Sequence, residues 1–577
     1  MYKQVLDPVS HSLGITSIFA VLPLVALFVL LGGLRMKAQW ASLLALLAAG
    51  VVAVAVYGMP VRQTADAALE GAAFGLFPIM WIVINALWIY KMTEETGHFQ
   101  ALRAAFTRIS DDQRVQVIAI AFCFGALLEA LAGFGTPVAI CGVMMVGLGF
   151  HPVKAAAVAL VADTAPVAFG AIAIPIVTLA QVSGLPVHSL SQMVGRQTPF
   201  LAMIVPFILV GMVDGRRGLR DAWPAALVAG VVFAVAQFVT SNYISTELTD
   251  IVASLLSAAA LVGFLQVWSP RIGGERTPVS GGVRPAMAGG SQPDPAFERR
   301  VTGGQPAGGG GATDAGGATS ATPGGAGGGP GRHISTLAAF APYLIIIVVL
   351  GLQSLHGIAA DLDKLTNKIM WPGLHVLNGK GKPPSSLSYK LNYLTAAGTG
   401  LLVSGLIVVA FLRVSVARAA AVYVRTLRQL GWAIVTVAAV LALAYVMNLS
   451  GQTITLGTWA AGAGGFFAFL SPLIGWFGTA VTGSDTSTNS LFGALQVAAA
   501  KKSGLSPVLL AAGNSSGGVL AKMISPQNLA IGAAAVGLAG REGDIFRRVL
   551  GWSLLLVGLM AVLVLLQSLS VLSWMVP

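Results

Sequence analysis

Charged residues are scarce in this chain: only 10% of its 577 residues are Asp, Glu, Lys or Arg, against 56% hydrophobic residues. Soluble proteins carry about a quarter charged residues, so the composition excludes an ordinary soluble domain. A mean hydropathy of +0.81 and recurring apolar runs near the length of a membrane span indicate transmembrane helices. Cysteine is almost absent. Cys123 and Cys141 both lie in apolar segments, which excludes a disulfide framework and a CxxC metal pair.

Catalytic motifs are missing as well. The seven histidines are scattered, and the sequence contains neither HExxH nor GxSxG, so we expect no enzyme activity, no metal and no cofactor. The alternating pattern of an outer-membrane barrel is also missing. The net charge of +12 does not require a nucleic-acid partner, because the basic residues gather in short loops between apolar runs. The sequence therefore predicts an all-α polytopic membrane protein.

The apolar runs predict about 12–14 transmembrane helices in two halves. Residues 1–268 form the first half and contain an interrupted region at 116–180. Residues 334–577 form the second half, with an interrupted region at 456–537. Between them, residues 269–333 are rich in Gly, Ala, Thr and Ser and cannot bury a core, so they are predicted to be a disordered cytoplasmic linker.

The positions of Lys and Arg predict the orientation of the bundle. Five basic segments can all be cytoplasmic if both termini lie outside: 35–37, 91–115, 214–221, 413–430 and 541–548. One segment conflicts with this scheme, because the loop 354–393 carries five lysines and is placed outside.

The two interrupted regions resemble each other. Gly133-Phe134-Gly135-Thr136 matches Gly483-Ser484-Asp485-Thr486 at an offset of 350, and His151-Pro152-Val153 matches Ser506-Pro507-Val508 at an offset of 355. The span before the first unit leads into a basic loop, whereas the span before the second leads into a segment without Lys or Arg. The two units are therefore expected to enter the membrane from opposite sides. Paired, interrupted segments in inverted halves are typical of the midplane site of a secondary transporter.

Four ionisable residues lie within or beside these breaks, where an isolated charge is costly: Glu129, Asp163, Asp485 and Lys522. We expect Lys522 to hold an anion, and the alternative is a structural salt bridge to Asp485. Glu129, Asp163 and Asp485 are candidates for carrying a proton, because burial of a carboxylate favours its neutral form. Glu129 could instead form a helix-to-helix hydrogen bond, and Asp163 could cap a half-helix.

Small polar residues of the breaks complete the predicted substrate site. Their hydroxyl, amide and backbone N–H groups could donate hydrogen bonds to a small carboxylate, as helix N-termini do. The predicted set is Asn514, Ser515, Ser516, Gln527, Asn528, Gly135, Thr136, Thr486 and Ser487.

Four stretches of these regions, 125–138, 162–170, 483–491 and 513–528, resemble the L-lactate permease family, whose members also carry glycolate. The resemblance implies uptake of 2-hydroxymonocarboxylates by proton symport across a bacterial inner membrane. It does not identify the proton carrier. A sodium-coupled or exchange-type carboxylate carrier is the alternative, since oxygen-rich breaks also suit sodium. The expected partners are a small monocarboxylate, a proton and the bilayer, while the oligomeric state stays open.

Overall fold

The computed structural model describes residues 1–133, 135–270, 335–378, 381–384 and 387–577. From residue 271 onward, the predicted Gly-rich linker lies outside the described residues. The described part is overwhelmingly helical, as the composition predicts, and its buried apolar core is continuous through both halves.

The described residues of the first half contain twelve helices, several of them broken. They are α1 Leu13–Gly33, α2 Ala38–Ala55, α3 Val61–Phe74, α4 Trp81–Glu95, α5 His98–Thr107, α6 Gln113–Leu131, α7 Thr136–Gly147, α8 Pro152–Ala162, α9 Gly170–Ser183, α10 Val187–Val194, α11 Thr198–Val239 and α12 Thr249–Leu265.

The described residues of the second half contain ten helices. They are α13 Thr336–Ser354, α14 His356–Asp363, α15 Ala397–Phe411, α16 Val416–Ser450, α17 Gln452–Ala460, α18 Phe467–Thr482, α19 Asp485–Ser503, α20 Pro507–Gly518, α21 Pro526–Ala535 and α22 Glu542–Ser568. Four short strands form two two-stranded sheets: β1 Tyr2–Lys3 pairs in parallel with β3 Val376–Leu377, and β2 Asn367–Met370 pairs antiparallel with β4 Ser388–Leu391.

Eight of the described helical segments are long and apolar enough to cross a membrane, and one bent pair, Pro152–Ala162 with Val167–Ser183, makes a ninth. Four shorter apolar helices of 10–17 residues accompany them. One of the eight, Val187–Ile244, has 58 residues and reverses direction at Asp214–Gly215. The fold class, an all-α polytopic membrane protein, is confirmed.

Corresponding helices of the two halves make corresponding contacts. Helix α1 packs on α2 and α17, while α13 packs on α15 and α5. In the same way α2 packs on α16 and α15 packs on α4, while α9 packs on α19 and α21 packs on α7. In each comparison the first contact is equivalent to the second when the helices are matched in chain order. In this matching α3 and α14 are left out, and α1, α2 and α4–α9 correspond to α13 and α15–α21. The contacts therefore follow an approximate two-fold relation between the halves.

The equivalent helices run in opposite directions, as the charge pattern predicts. Glu95, at the end of α4, pairs with Arg418 and Arg425 in the first turns of α16. Because α4 and α16 are equivalent, the end of one lies beside the start of the other. Arg114 likewise pairs with Asp214, so three of the basic segments meet at one end of the bundle.

The N-terminal strand and the lysine-bearing loop share a surface. Tyr2 and Lys3 pair with Val376 and Leu377, and the Tyr2 hydroxyl donates to the carbonyl oxygens of Tyr57 and Ser450 at 3.2 and 2.7 Å. The 354–393 loop thus lies with the N-terminus, as the sequence scheme requires despite its lysines.

One predicted span contains a break that the sequence analysis missed. The span before the first unit, residues 71–90, reads as one continuous apolar run, but Phe77 adopts an extended conformation with φ −136° and ψ 123°. Pro78 follows it and lacks the N–H that an uninterrupted helix would use. The run is therefore two helices, α3 and α4, rather than one.

Candidate functional site

Lys522 joins two carboxylates that come from the other half of the chain. Its Nζ lies 2.6 Å from Glu129 Oε1 and 3.0 Å from Asp163 Oδ2. Lys522 lies in a short 3-10 helix, Val519–Ile524, between α20 and α21; Glu129 lies in α6, and Asp163 follows the last residue of α8. The three side chains are at most 8% exposed. The alternative of a Lys522–Asp485 salt bridge is wrong, because the partners of Lys522 are these two acids.

The backbone after Asp163 is shaped around the Glu129 carboxylate. A Cβ on Gly170 would lie 2.8 Å from Glu129 Oε1, closer than real Cβ contacts, so a side chain there would displace the carboxylate from its position. The next three residues, Ala171 to Ala173, all have positive φ of 44°, 59° and 57°. Such left-handed stretches of non-glycine residues are strained and persist where the surrounding structure holds them.

The cluster carries more negative charge than positive. Two carboxylates face one ammonium, and Glu129 Oε2 and Asp163 Oδ1 have no hydrogen-bond partner within the described part of the chain. A buried charge without a partner is costly in a membrane protein. With both acids ionised, the cluster therefore has one negative charge that Lys522 does not balance.

Asp485 occupies a separate pocket. Its Oδ2 accepts hydrogen bonds from Ser515 Oγ at 2.7 Å and Asn489 Nδ2 at 3.1 Å, while Oδ1 has no partner among the described residues. It is the first residue of α19, where the positive end of the helix dipole favours a carboxylate.

The predicted donors of α20 are already hydrogen-bonded to other side chains. Asn514 Nδ2 donates to Asn489 Oδ1 at 2.9 Å, and Ser516 Oγ donates to Gln197 Oε1 at 2.7 Å. With Ser515 bound to Asp485, all three connect α20 to neighbouring helices. Their role as substrate ligands stays a prediction, since each would have to exchange a partner.

Both glycine breaks meet at the start of α21. Gly135 has φ 79° and a Cβ there would lie 3.4 Å from Asn528 Oδ1; Gly483 has φ 76° and its Cβ would lie 2.8 Å from Gln527 Oε1. Asn528 Nδ2 lies 3.4 Å from the carbonyl oxygen of Gly483 and 3.2 Å from that of Lys522. The N-terminal ends of α7, α19 and α21 therefore converge close to Lys522. Helix N-termini of this kind attract anions.

The remaining predicted ligands are more accessible. Thr136, Thr486 and Ser487 are half-buried in the first turns of α7 and α19, and Gln527 is exposed. They lie at the rim of the converging helix ends rather than beside Glu129 and Asp163.

Three buried polar residues that the sequence analysis did not select extend the network. Gln197 accepts from Ser516, and Gln237 Nε2 donates to Asp250 Oδ1 at 2.9 Å. Asp250 is fully buried, and its Oδ2 has no partner in the described part of the chain. The sequence signal for all three is a polar residue within or beside an apolar run, away from the glycine breaks.

The similarity to known proteins extends over nearly the whole chain. The family model for L-lactate permease matches residues 16–286 and 318–571. The chain belongs to the L-lactate permease family. It is 39% identical to a glycolate permease of Escherichia coli over 96% of each chain, and 38% identical to L-lactate permeases of Bacillus subtilis and Escherichia coli over the whole of each chain. Members of this family are membrane transporters rather than enzymes, and in bacteria this places the protein in the inner membrane as a multi-pass transporter.

One solved structure is similar at a greater distance. The YdaH transporter of Alcanivorax borkumensis aligns over 86% of each chain with 14% identity and a TM-score of 0.41. A similarity at this level says nothing about the site.

Proposed function

We propose that this protein takes up L-lactate and related 2-hydroxymonocarboxylates, including glycolate, by proton symport. Relatives of 38–39% identity are an L-lactate permease and a glycolate permease, which supports the substrate class. The ion cluster of Glu129, Asp163 and Lys522 supports the coupling, and it is the observation that carries the proposal.

The charge of the cluster makes proton binding precede anion binding. With both acids ionised, the cluster has a net charge of −1 and repels a monocarboxylate, while Lys522 is occupied by its two partners. Protonation of Glu129 or Asp163 neutralises the cluster and weakens one of the two contacts. The substrate carboxylate then takes the place of that acid on Lys522. One proton per anion would make its entry electroneutral, so that a negative interior no longer opposes it.

The same exchange changes the contact between the halves. Glu129 and Asp163 belong to the first half and Lys522 belongs to the second, so their ion pairs hold the halves together. Protonation weakens that contact, and the substrate replaces one of the acids only when proton and substrate are both present. Asn528 and the rim residues Thr486 and Ser487 are proposed to bind the 2-hydroxyl group.

The test is uptake of radiolabelled L-lactate into proteoliposomes, driven by an inward proton gradient without sodium. The wild type is expected to accumulate lactate, and a protonophore is expected to abolish accumulation. Lys522→Met is expected to lose uptake, whereas Lys501→Met, at an exposed lysine in the last turn of α19, is expected to behave as the wild type. Glu129→Gln/Lys522→Met, which removes one unpaired acid, controls for instability of the single variant.

Three results would contradict the proposal. Accumulation that does not depend on the proton gradient would exclude proton coupling. Accumulation that requires external sodium would favour a sodium-coupled carrier. A Lys522→Met variant with unchanged affinity would give Lys522 a structural role.

A further inference from the structure

Another buried acid, besides Asp485 and Asp250, lies outside the Lys522 cluster. Glu70, in α3, is 0% exposed, and neither of its carboxylate oxygens has a hydrogen-bond partner within the described residues. An isolated carboxylate at membrane depth is costly as a charge. Glu70 must therefore hold a proton or a cation in this conformation.

Within the described part of the chain, no cationic side chain is paired with Glu70. Helix α3 lies so close to α16 that a Cβ on the adjacent Gly71 would be 2.5 Å from the Leu441 carbonyl oxygen. Tyr445 of α16 and Tyr389 of β4 are the ionisable groups that face Glu70 from these elements. The Tyr389 hydroxyl donates a hydrogen bond to the Phe77 carbonyl oxygen at 2.9 Å. A proton bound by Glu70 itself is the simplest way to neutralise the acid.

A stripe of unpartnered acceptors leads from one surface to Glu70. Gln63, Asp66 and Glu70 follow one another at helical spacing on α3, and Gln63 Oε1 and Asp66 Oδ2 also lack partners in the described part of the chain. From Gln63 to Glu70 the helix rises by about 10 Å. Gly373, in the loop between β2 and β3, lies directly against Asp66. The stripe therefore starts at the surface that carries the N-terminal strand.

Glu70 is also connected to the candidate site through α9. Tyr445 accepts a hydrogen bond from Gln181 of α9 at 3.0 Å. On the same helix, the Pro175 carbonyl oxygen accepts from Asn489 at 3.2 Å, and Asn489 donates to Asp485. A change at Glu70 can thus reach the second interrupted unit through packed and hydrogen-bonded groups.

We propose that Glu70 is a second proton-binding site, loaded through the Gln63–Asp66 stripe from the surface with the N-terminal strand, and that its proton is carried with the substrate. The proposal rests on proton symport and adds one proton to it. The proton binds a carboxylate oxygen of Glu70 on one side of the membrane and leaves it on the other. One monocarboxylate and two protons move one net positive charge inward in each cycle.

The test separates the two components of the proton-motive force. Proteoliposomes receive either a pH gradient without a potential, or a potassium diffusion potential, negative inside, without a pH gradient. The wild type is expected to accumulate radiolabelled L-lactate under both, about tenfold for each 59 mV of potential alone. Glu70→Gln is expected to respond to the pH gradient only. Glu94→Gln, the same change at a partly exposed residue of α4, is expected to match the wild type.

Each outcome decides between the proposals. A wild type that responds to the pH gradient but not to the potential would overturn the second proton alone. A Glu70→Gln variant that still responds to the potential would overturn Glu70 as the site of that proton. A wild type that responds to neither would refute proton symport itself. If Glu70→Gln shows neither accumulation nor lactate counterflow, Glu70→Asp decides: it keeps a titratable acid and is expected to retain accumulation driven by the potential.

Discussion

Glu129→Gln tests whether the negative charge of Glu129, beside Lys522, opposes binding of the substrate anion. The amide keeps the size of the side chain and can still accept from Lys522 through its oxygen, while Asp163 remains on the ammonium at 3.0 Å. The substitution brings the charge of the cluster to 0 without a bound proton, whereas the wild type with both acids ionised has −1. It therefore imitates the protonated state in which we propose that lactate binds.

The size of the effect follows from the geometry. A substrate carboxylate that replaces one acid on Lys522 lies about 5 Å from the other. At an effective dielectric constant of about 20, two unit charges at that distance repel each other by roughly 3 kcal/mol. This corresponds to a factor of about 100 in affinity. The wild type should lose about that factor between low and high pH, whereas Glu129→Gln should bind lactate with a high affinity that varies little with pH.

The assay is equilibrium binding of radiolabelled L-lactate to purified protein from pH 5.5 to 8.5, followed by uptake into proteoliposomes. Glu129→Gln is expected to bind and exchange lactate but, with Glu70 as its remaining proton site, to lose accumulation driven by a membrane potential. A variant that keeps both the pH dependence of the wild type and its accumulation would refute the role of Glu129. If Asp163→Asn shows the expected behaviour instead, the proton belongs to Asp163.

Two further substitutions test the support of the cluster. Gly170→Ala places a Cβ 2.8 Å from Glu129 Oε1 and is expected to abolish uptake in a folded protein, while Gly147→Ala, whose added Cβ meets nothing within 4 Å, serves as the control. Ser516→Ala removes the hydroxyl that donates to Gln197 and is expected to destabilise the protein by about 1–3 kcal/mol, visible as a lower melting temperature. An unchanged melting temperature would show that Gln197 finds another donor.

Sequence patterns were sufficient to locate the breaks and the charged residues of the site. The glycines at 133 and 483 have positive φ, and helices resume within three residues of each, as the repeat predicted. Glu129, Asp163 and Lys522 were selected because charges are rare in apolar segments. These are local signals, and a single sequence contains them.

The pairing of these residues could not be predicted. Glu129 and Lys522 are 393 positions apart, and the sequence offered Asp485, in the same unit as Lys522, as an equally reasonable partner. The choice depends on how the two halves pack. For the same reason Glu70 was not selected: it lies in a segment of low hydropathy before the apolar run, and only the packing of α3 on α16 shows that it is buried.

The two-fold relation shows why the site is asymmetric. At the offsets of the repeat, Glu129 corresponds to Thr479 and Asp163 corresponds to Gly518. Gly518 lies against both Asp485 and Thr479, whereas Glu129 and Asp163 both contact Lys522. One of the two equivalent pockets therefore receives the cation Lys522 from the other half. The other pocket holds the anion Asp485 from its own half. We infer that only the lysine pocket can exchange an acid for a substrate anion, so each transport cycle must make or break contacts between the halves rather than within one of them.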